Sequence, residues 1–230
     1  MIGIVDYGMG NLYSLSQALK RLGQDFTISD RPDELAETDG LILPGVGAFK
    51  DAMALLNKKQ LSAFLTRYVQ KKPLLGICLG MQLLFEESEE GGLTAGLAFL
   101  SGRIVRFSGT APITGERYKV PHMGWNTLEF RQPDSLLLDG LAPDYAYFVH
   151  SYYAETEDPS ILIATADYHG QVPAVVGKGR VFGTQFHPEK SGAFGQALLK
   201  NYLGFVNRLP QDKTAVSRPS ASLAPREEGK

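Results

Sequence analysis

Cys78 is the residue whose neighbours best suit nucleophilic chemistry. It is the one cysteine of the chain, and it separates an apolar run at 74–77 from the start of a helical pattern. Gly76 and Gly80 stand two residues to either side, as a sharp strand-to-helix turn requires, because a β-carbon there collides with the crossing backbone. A helix N-terminus favours the thiolate, which is the reactive form of cysteine. The pattern predicts a nucleophile at a tight turn. The alternative is a lone cysteine that is only a small buried hydrophobe.

A second reactive group follows near the end of the core sequence, in His187-Pro188-Glu189. A histidine can take the proton of a thiol and later protonate the leaving nitrogen, as acyl transfer requires. Glu189 could hold the imidazole in one tautomer and stabilise its charged form, while the proline restrains the backbone between them. A solvated surface loop would explain these residues when they are taken alone. Combined with Cys78, they predict a Cys–His–Glu triad.

Acyl transfer also needs backbone donors for a developing oxyanion. The N–H of Leu79 is one candidate, because it opens the helical pattern directly after Cys78. The loop PGVGAF at 44–49, which contains Val46 and Gly47, is the second candidate. Its glycines permit the φ and ψ angles that turn a backbone N–H inward. An ordinary turn after a strand is the alternative for this loop.

The elements that must position these residues form an α/β pattern. Short apolar runs alternate with amphipathic ones in the first half, which is typical of a mostly parallel sheet flanked by helices. Strands are predicted at 1–5, 40–43 and 74–77, and helices from Leu12 to Leu22, around 61–68 and over 79–85. Asn11 or Ser14 can cap the first helix, and Pro73 stops the second.

The second half is predicted to add antiparallel β elements. Short β-like runs separated by Gly, Pro and Asp turns occur at 103–107, 126–130, 146–152, 161–168 and 172–178. An apolar run at 181–186 leads into His187, and 193–207 reads as a closing helix. We therefore expect one domain over residues 1–209. Residues 210–230 are rich in Ser, Pro, Arg and Glu, which predicts a disordered tail.

Composition narrows the class of protein. A hydrophobic content of 43% in 230 residues suits one sizeable domain, and a net charge of −2 gives no reason to expect nucleic acid or a membrane surface as partner. No apolar run approaches the ~20 residues of a membrane span, and the N-terminus lacks the pattern of a secretory signal. A single cysteine fits a reducing cytoplasm, which is the expected location. The histidines and the cysteine show no metal-ligand spacing, so neither metal nor cofactor is expected.

The three reactive segments together resemble the class I, or triad-type, glutamine amidotransferases. GICLGMQ at 76–82 matches the nucleophile motif of that family, and HPE at 187–189 matches its second motif. Further segments resemble one branch of it, the glutaminase subunits of imidazole glycerol phosphate synthase. They are DYGMGNL at 6–12, PGVGAF at 44–49, PHMGWN at 121–126, YFVHSY at 147–152 and HPEKS at 187–191. The match runs from residue 2 to about 206. It implies a class I glutamine amidotransferase-like (flavodoxin-like) fold and a γ-glutamyl thioester on Cys78, which water hydrolyses to glutamate.

The resemblance also implies roles for residues outside the triad. It places Val46, Gly47 and Leu79 at the oxyanion and Gln82, Glu90, Ser151 and Tyr152 around L-glutamine, with Glu90 as the partner of the substrate ammonium. It places near a partner surface Asn11, His122, Met123, Trp125, Tyr147 and Lys190.

A partner protein is implied because ammonia must be used before it is lost to water. Free ammonia is mostly protonated at neutral pH, and ammonium is not a nucleophile. The chain has no phosphate-binding or dinucleotide-binding glycine loop and no sign of a second active site. By resemblance, the partner is the cyclase subunit of imidazole glycerol phosphate synthase, a (β/α)₈ barrel, in a 1:1 heterodimer. The pair would channel ammonia into imidazole glycerol phosphate, in histidine biosynthesis.

Three alternatives remain open. A related amidotransferase could serve another synthase, although the loops 44–49 and 121–126 argue against it. A non-catalytic scaffold could keep the fold without the chemistry, but all three triad positions are present. A free-standing cysteine hydrolase acting on peptides should turn over alone.

Overall fold

The computed structural model describes residues 1–209, and an eight-stranded sheet forms its centre. Its strands are β1 (Ile2–Val5), β2 (Phe26–Ser29), β3 (Gly40–Leu43), β4 (Leu74–Ile77), β9 (Glu129–Phe130), β12 (Leu162–Asp167), β13 (Gln171–Lys178) and β14 (Val181–Thr184). They are arranged in the order β2-β1-β3-β4-β14-β13-β12-β9. The five strands from β2 to β14 pair in parallel, whereas β13, β12 and β9 are antiparallel to their neighbours. The predicted α/β class with added antiparallel elements is therefore confirmed.

Two smaller sheets carry the remaining strands. One pairs β8 (His122–Thr127) with β10 (Tyr145–His150). The other has four strands, in the order β11 (Tyr152–Glu155), β7 (Arg103–Arg106), β5 (Glu87–Ser88) and β6 (Thr94–Ala95). The apolar run at 146–152, predicted as one strand, is thus divided between two sheets at Ser151.

Helices cover both faces of the central sheet. They are α1 (Leu12–Arg21), α2 (Pro32–Ala36), α3 (Phe49–Lys58), α4 (Leu61–Tyr68), α5 (Leu79–Gln82) and α6 (Gly192–Arg208). Successive strand side chains point to opposite faces, so Ile4 and Ile42 pack with α1 and α6, whereas Leu41 and Leu43 pack with α3 and α4. The central strands are buried on both faces, which explains their continuous apolar sequences.

The helix predicted over 79–85 ends at Gln82. Leu84 and Phe85 donate to carbonyls only three residues back, and the carbonyls of residues 83–85 accept N–H groups from 97–100. The chain therefore leaves the helical path because a later loop takes the hydrogen bonds that would extend it.

The tail predicted for residues 210–230 lies outside the described residues, and the boundary of the domain at residue 209 stays a prediction. Within the described part, no helix has both the length and the apolar character needed to cross a bilayer.

The carboxyl ends of the parallel strands carry the predicted site. β4 ends at Ile77, directly before Cys78, and β3 ends at Leu43, directly before the loop 44–49. β14 ends at Thr184, three residues before His187. Because these strands are neighbours, residues far apart in sequence meet at one edge of the sheet, where ligands of open α/β sheets bind.

Candidate active site

Cys78 occupies a strained turn between β4 and α5. Its φ and ψ are +55° and −111°, an unusual conformation for a residue with a side chain. A β-carbon on Gly80 would lie 1.8 Å from the carbonyl oxygen of Leu43, and one on Gly76 would lie 2.5 Å from that of Gly80. Glycine is required at both positions because the backbones cross there. The sequence pattern around Cys78 is therefore a consequence of this turn.

His187 is held by contacts on its backbone and its ring. Its N–H donates to the carbonyl of Tyr147 at 3.1 Å, and its carbonyl accepts the hydroxyl of Ser191 at 2.7 Å. On the ring, Nδ1 lies 2.8 Å from Oε1 of Glu189. The side chains of His187 and Glu189 are only 4% and 3% exposed. The pair is therefore shielded from water, and its geometry fixes Nε2 as the free nitrogen.

The pKa of His187 depends on its burial and on its two neighbours, Cys78 and Glu189. Burial alone lowers its pKa, but hydrogen bonds and charge interactions with Cys78 and Glu189 outweigh burial and raise the pKa to about 9. At neutral pH the imidazole is therefore protonated in the presence of these partners. A buried acid beside a sulfur nucleophile can protonate a leaving nitrogen.

A cleft of about 420 Å³ opens over Cys78 and His187. Its volume lies in the range of small-molecule sites. All seven residues predicted for the oxyanion and for glutamine line it: Val46, Gly47, Leu79, Gln82, Glu90, Ser151 and Tyr152. A larger cleft of about 730 Å³ lies around Arg103, Glu155 and Asp158. Among its lining residues are no Cys, His or Lys side chains, so we place the chemistry in the smaller cleft.

Two of these seven predicted side chains have hydrogen-bond partners within the protein. Oε2 of Glu90 accepts the N–H of Phe49, the first residue of α3, at 2.7 Å. Nε2 of Gln82 donates to the carbonyl of Tyr152 at 2.9 Å and to Oε1 of Gln185 at 3.0 Å. Glu90 therefore ties the loop 44–49 to the cleft, and Gln82 ties α5 to β11.

The oxyanion candidates line the same cleft as the cysteine. Leu79 is the first residue of α5, so its N–H is free of intrahelical bonds. Gly47 has a φ of +101°, and both Val46 and Gly47 are exposed at the cleft. The structure thus brings the two predicted donor segments to one site.

Sequence reasoning missed Gln185 and Tyr7. Gln185 is fully buried, and its Nε2 lies 3.9 Å from Sγ of Cys78. Tyr7 is 1% exposed, and within residues 1–209 its hydroxyl has no hydrogen-bond partner. Burial raises the pKa of Tyr7, and the nearby Cys78 raises it further. The available signal was a glutamine inside the otherwise apolar run 181–186, because a buried amide must find partners.

The six residues predicted near a partner surface have different environments. Met123 and Trp125 are 62% and 56% exposed, and Lys190 is exposed. Tyr147 lies edge-on to Trp125, with ring centroids 6.0 Å apart. Asn11 is half-buried and caps α1 by accepting the N–H of Ser14. His122 is 3% exposed and lies beneath the surface, so its place at an interface stays a prediction.

Residues 1–209 contain no group of three or more His, Cys, Asp or Glu side chains arranged to hold a metal ion.

Comparison with known proteins identifies the family. The family model for glutamine amidotransferase class-I matches residues 3–204. A solved structure described as a glutamine amidotransferase superposes with a TM-score of 0.70 at 20% identity, covering 90% of this chain and 98% of that one. PurLQS from Thermotoga maritima superposes with a TM-score of 0.67 at 18% identity, over 89% and 98% of the two chains. These likenesses concern the fold. The chain belongs to the class I glutamine amidotransferase family and is an enzyme of that class.

Sequence relatives narrow the similarity within the family. Proteins named imidazole glycerol phosphate synthase subunit HisH are 59% identical in Geobacillus sp. (strain WCH70) and 60% in Geobacillus kaustophilus. Each of these alignments covers 90% of this chain and 97% of the relative. The HisH of Bacillus subtilis (strain 168) is 53% identical over 88% of this chain and 95% of its own. The resemblance predicted from the motifs is confirmed.

Proposed function

We propose that this chain hydrolyses the side-chain amide of L-glutamine and delivers the ammonia to a cyclase that makes imidazole glycerol phosphate, in histidine biosynthesis. The observation that carries the proposal is the cleft in which Cys78 and His187 meet seven further predicted site residues. Identity of 52–60% with proteins named HisH supports the choice of pathway.

The proposed reaction begins at Cys78. Its thiolate attacks the amide carbon of glutamine, and a C–S bond forms as the carbonyl oxygen becomes an oxyanion. The C–N bond then breaks, and the nitrogen leaves as ammonia with the proton from Nε2 of His187. Water attacks the resulting thioester and gives a proton to His187, the C–S bond breaks, and the products are glutamate, the thiolate of Cys78 and the protonated ring. Glu189 keeps the ring in one tautomer and stabilises its charged form.

We assign the oxyanion to two backbone segments. The N–H of Leu79 opens α5, where the helix dipole also favours negative charge. Val46 and Gly47 supply a second N–H from the loop 44–49, which lines the same cleft. Losing one such donor typically costs ~10²–10³ in rate.

We assign substrate binding to the other wall residues. Gln82, Ser151 and Tyr152 shape the pocket for the glutamine side chain and backbone. Glu90 pairs with the substrate ammonium through the carboxylate oxygen that Phe49 leaves free. A carboxylate already held by a helix N-terminus needs little further ordering to bind a cation.

The proposed docking surface is the two-stranded sheet of β8 and β10. Trp125 is paired across the strands with Tyr147, and Met123 with Val149, so the four side chains share one face. Val149 also lines the cleft, so this apolar face continues to the nucleophile. A partner seated there would cover the cleft and receive ammonia before it reaches water. We propose a 1:1 pair with a (β/α)₈ cyclase in the cytoplasm.

The decisive experiment is Cys78→Ala assayed in the complex with the cyclase of the same organism. We expect glutamine-dependent synthesis of imidazole glycerol phosphate to disappear, while ammonium salts at high pH still support turnover. The variant keeps the partner surface, so co-purification with the cyclase is the control. Glutamine-dependent turnover that survives in Cys78→Ala contradicts the proposal.

A further inference from the structure

Two buried histidines lie beside the cleft and take no part in the proposed chemistry. His122 and His150 are 3% and 6% exposed and face each other across β8 and β10. Nδ1 of His122 lies 3.0 Å from Nε2 of His150. One of the two rings must therefore donate and the other must accept.

The neighbours of the two rings decide which ring donates. Nδ1 of His150 lies 2.8 Å from the carbonyl oxygen of Tyr152, and this oxygen can only accept. His150 therefore carries its proton on Nδ1, and its Nε2 accepts from Nδ1–H of His122. Nε2 of His122 is then an acceptor, and the amide Nδ2 of Asn126 lies 3.2 Å from it as a donor. One assignment satisfies all three contacts, with both rings neutral and protonated on Nδ1.

The chain of hydrogen bonds continues to the nucleophile. The carbonyl of Tyr152 also accepts Nε2–H of Gln82, whose second N–H donates to Oε1 of Gln185. Nε2 of Gln185 faces Sγ of Cys78 at 3.9 Å. Each contact from Asn126 to the sulfur pairs a donor with an acceptor, and the two branches of the network meet at the carbonyl of Tyr152, which accepts from both His150 and Gln82.

The packing around the pair fixes the rings. His122 is stacked between Phe148 and Tyr168, with centroid distances of 4.6 and 4.0 Å. Phe107 meets His122 edge-on and His150 at a tilt. These contacts oppose a rotation of the rings that would exchange their nitrogens. Burial also lowers the pKa of both histidines, to about 4 for His122 and about 3 for His150, so both are neutral at physiological pH.

We propose that His122 and His150 are positioning residues of the glutamine site. As a pair of neutral Nδ1–H imidazoles, they fix the position of the carbonyl of Tyr152. This carbonyl in turn orients Gln82 and, through it, the amide of Gln185 that faces the sulfur of Cys78. The inference rests on the proposed glutaminase function for its kinetic consequence. The protonation pattern of the rings does not depend on that function.

The first test reads the tautomers directly. Long-range ¹H–¹⁵N spectra of the full chain at neutral pH, assigned with single His variants, distinguish Nδ1–H from Nε2–H rings. We expect both His122 and His150 to carry the proton on Nδ1. A proton on Nε2 of either ring, or a charged ring, overturns the proposal whatever reaction the enzyme catalyses.

The second test compares His150→Asn with His150→Gln in the complex with the cyclase. An Asn amide can place its N–H where Nδ1 donates, whereas a Gln amide reaches the position of Nε2. We expect His150→Gln to raise the KM for glutamine about 10- to 100-fold, because Tyr152 then loses a buried donor. We expect His150→Asn to keep KM within about threefold of the wild type. Ammonia-dependent synthesis should be the same in all three proteins.

A merely structural role for His150 gives a different pattern. Equal rises in KM for both variants, or a lower kcat at unchanged KM, overturn the proposal. If His150→Gln does not fold, the ring tautomers decide the question. Failure of the proposed function is seen separately, as wild-type complex that does not hydrolyse glutamine.

Discussion

At the scale of single residues, the site depends on one buried acid–base pair. Glu189 contacts His187 through Oε1, and within residues 1–209 its Oε2 has no hydrogen-bond partner. The carboxylate therefore directs its interaction toward the ring. Cys78 acts on the same ring from the other side, and together they raise the pKa of His187 to about 9.

Replacing Glu189 by Gln tests this pairing through activity. Gln keeps the volume but removes the charge and can present an N–H to Nδ1, which leaves the ring in the wrong tautomer. We expect glutaminase kcat in the complex to fall about 10²–10⁴-fold. The pKa of His187 should also fall in this variant, because Glu189 raises it, and ¹⁵N titration of the ring measures the change. An unchanged pKa and kcat would show that the contact is not functional.

The same pair predicts a pH dependence of stability. The pKa of His187 is about 9 in the folded chain and about 6.5 when unfolded, so folding favours the protonated ring. This contribution is complete below pH 6.5 and is lost as pH rises through 9. The thermal midpoint of the wild type should therefore exceed that of Glu189→Gln most clearly below pH 6.5. A difference in thermal midpoint between the wild type and Glu189→Gln that increases from pH 7 to pH 9.5 would contradict the predicted direction.

At the scale of elements, the turn at Cys78 depends on contact between α5 and β3. Gly80→Ala would push a β-carbon into the carbonyl of Leu43. We expect it to lower the free energy of unfolding by about 3 kcal/mol or more, or to displace Cys78 and abolish labelling by glutamine-like electrophiles. Urea unfolding and labelling measure the two effects.

Gly204→Ala is the matched control for Gly80→Ala. Gly204 lies inside α6, and a β-carbon there meets no atom within 4 Å. Alanine should therefore stabilise the helix by about 0.5–1 kcal/mol. Equal behaviour of the two variants would show that the crossing at Gly80 is not tight.

The secondary-structure elements that the sequence predicts most accurately are strands in which every residue is buried. The strands at 40–43 and 74–77 were predicted with the bounds that β3 and β4 have, because every side chain in them is buried. β2 was not predicted, because its alternation of apolar and polar residues covers only four positions and its apolar side chains are not buried. α3 was also missed, because its start coincides with the loop 44–49, although its buried residues recur at the i, i+3, i+4 and i+7 positions of a helix.

The candidate site was only partly predictable for a related reason. Motifs identify Cys78 and the segment 187–189 because local backbone geometry restricts their residue types. Gln185 is marked locally as an amide in an apolar run, but its partner Gln82 is 103 positions away, and the partner of His150 is 28 positions away, so no local pattern identifies these contacts. Their identification required the fold.

At the scale of the whole molecule, one exposed apolar face adjoins the cleft. We expect Trp125→Ala to weaken binding of the cyclase by about 30-fold or more, since buried aromatic residues dominate interfaces. Calorimetric titration of the two proteins measures the loss. Ile113→Ala is the control, because Ile113 is 97% exposed yet lies outside β8 and β10. Equal Kd values for both variants would place the partner elsewhere.

The close crossing of Gly80 over Leu43 also limits how the loop after β3 can change. A β-carbon on Gly45 would meet the hydroxyl of Tyr7 at 2.6 Å and the backbone nitrogen of Gly80 at 2.8 Å, so the chain is clamped up to that point. Phe49 is clamped again by Glu90. Val46 and Gly47 lie between these two contacts and are exposed. We therefore expect any change in the loop to be confined to this short segment, so that a change in rate made through it leaves the attacking atom in place.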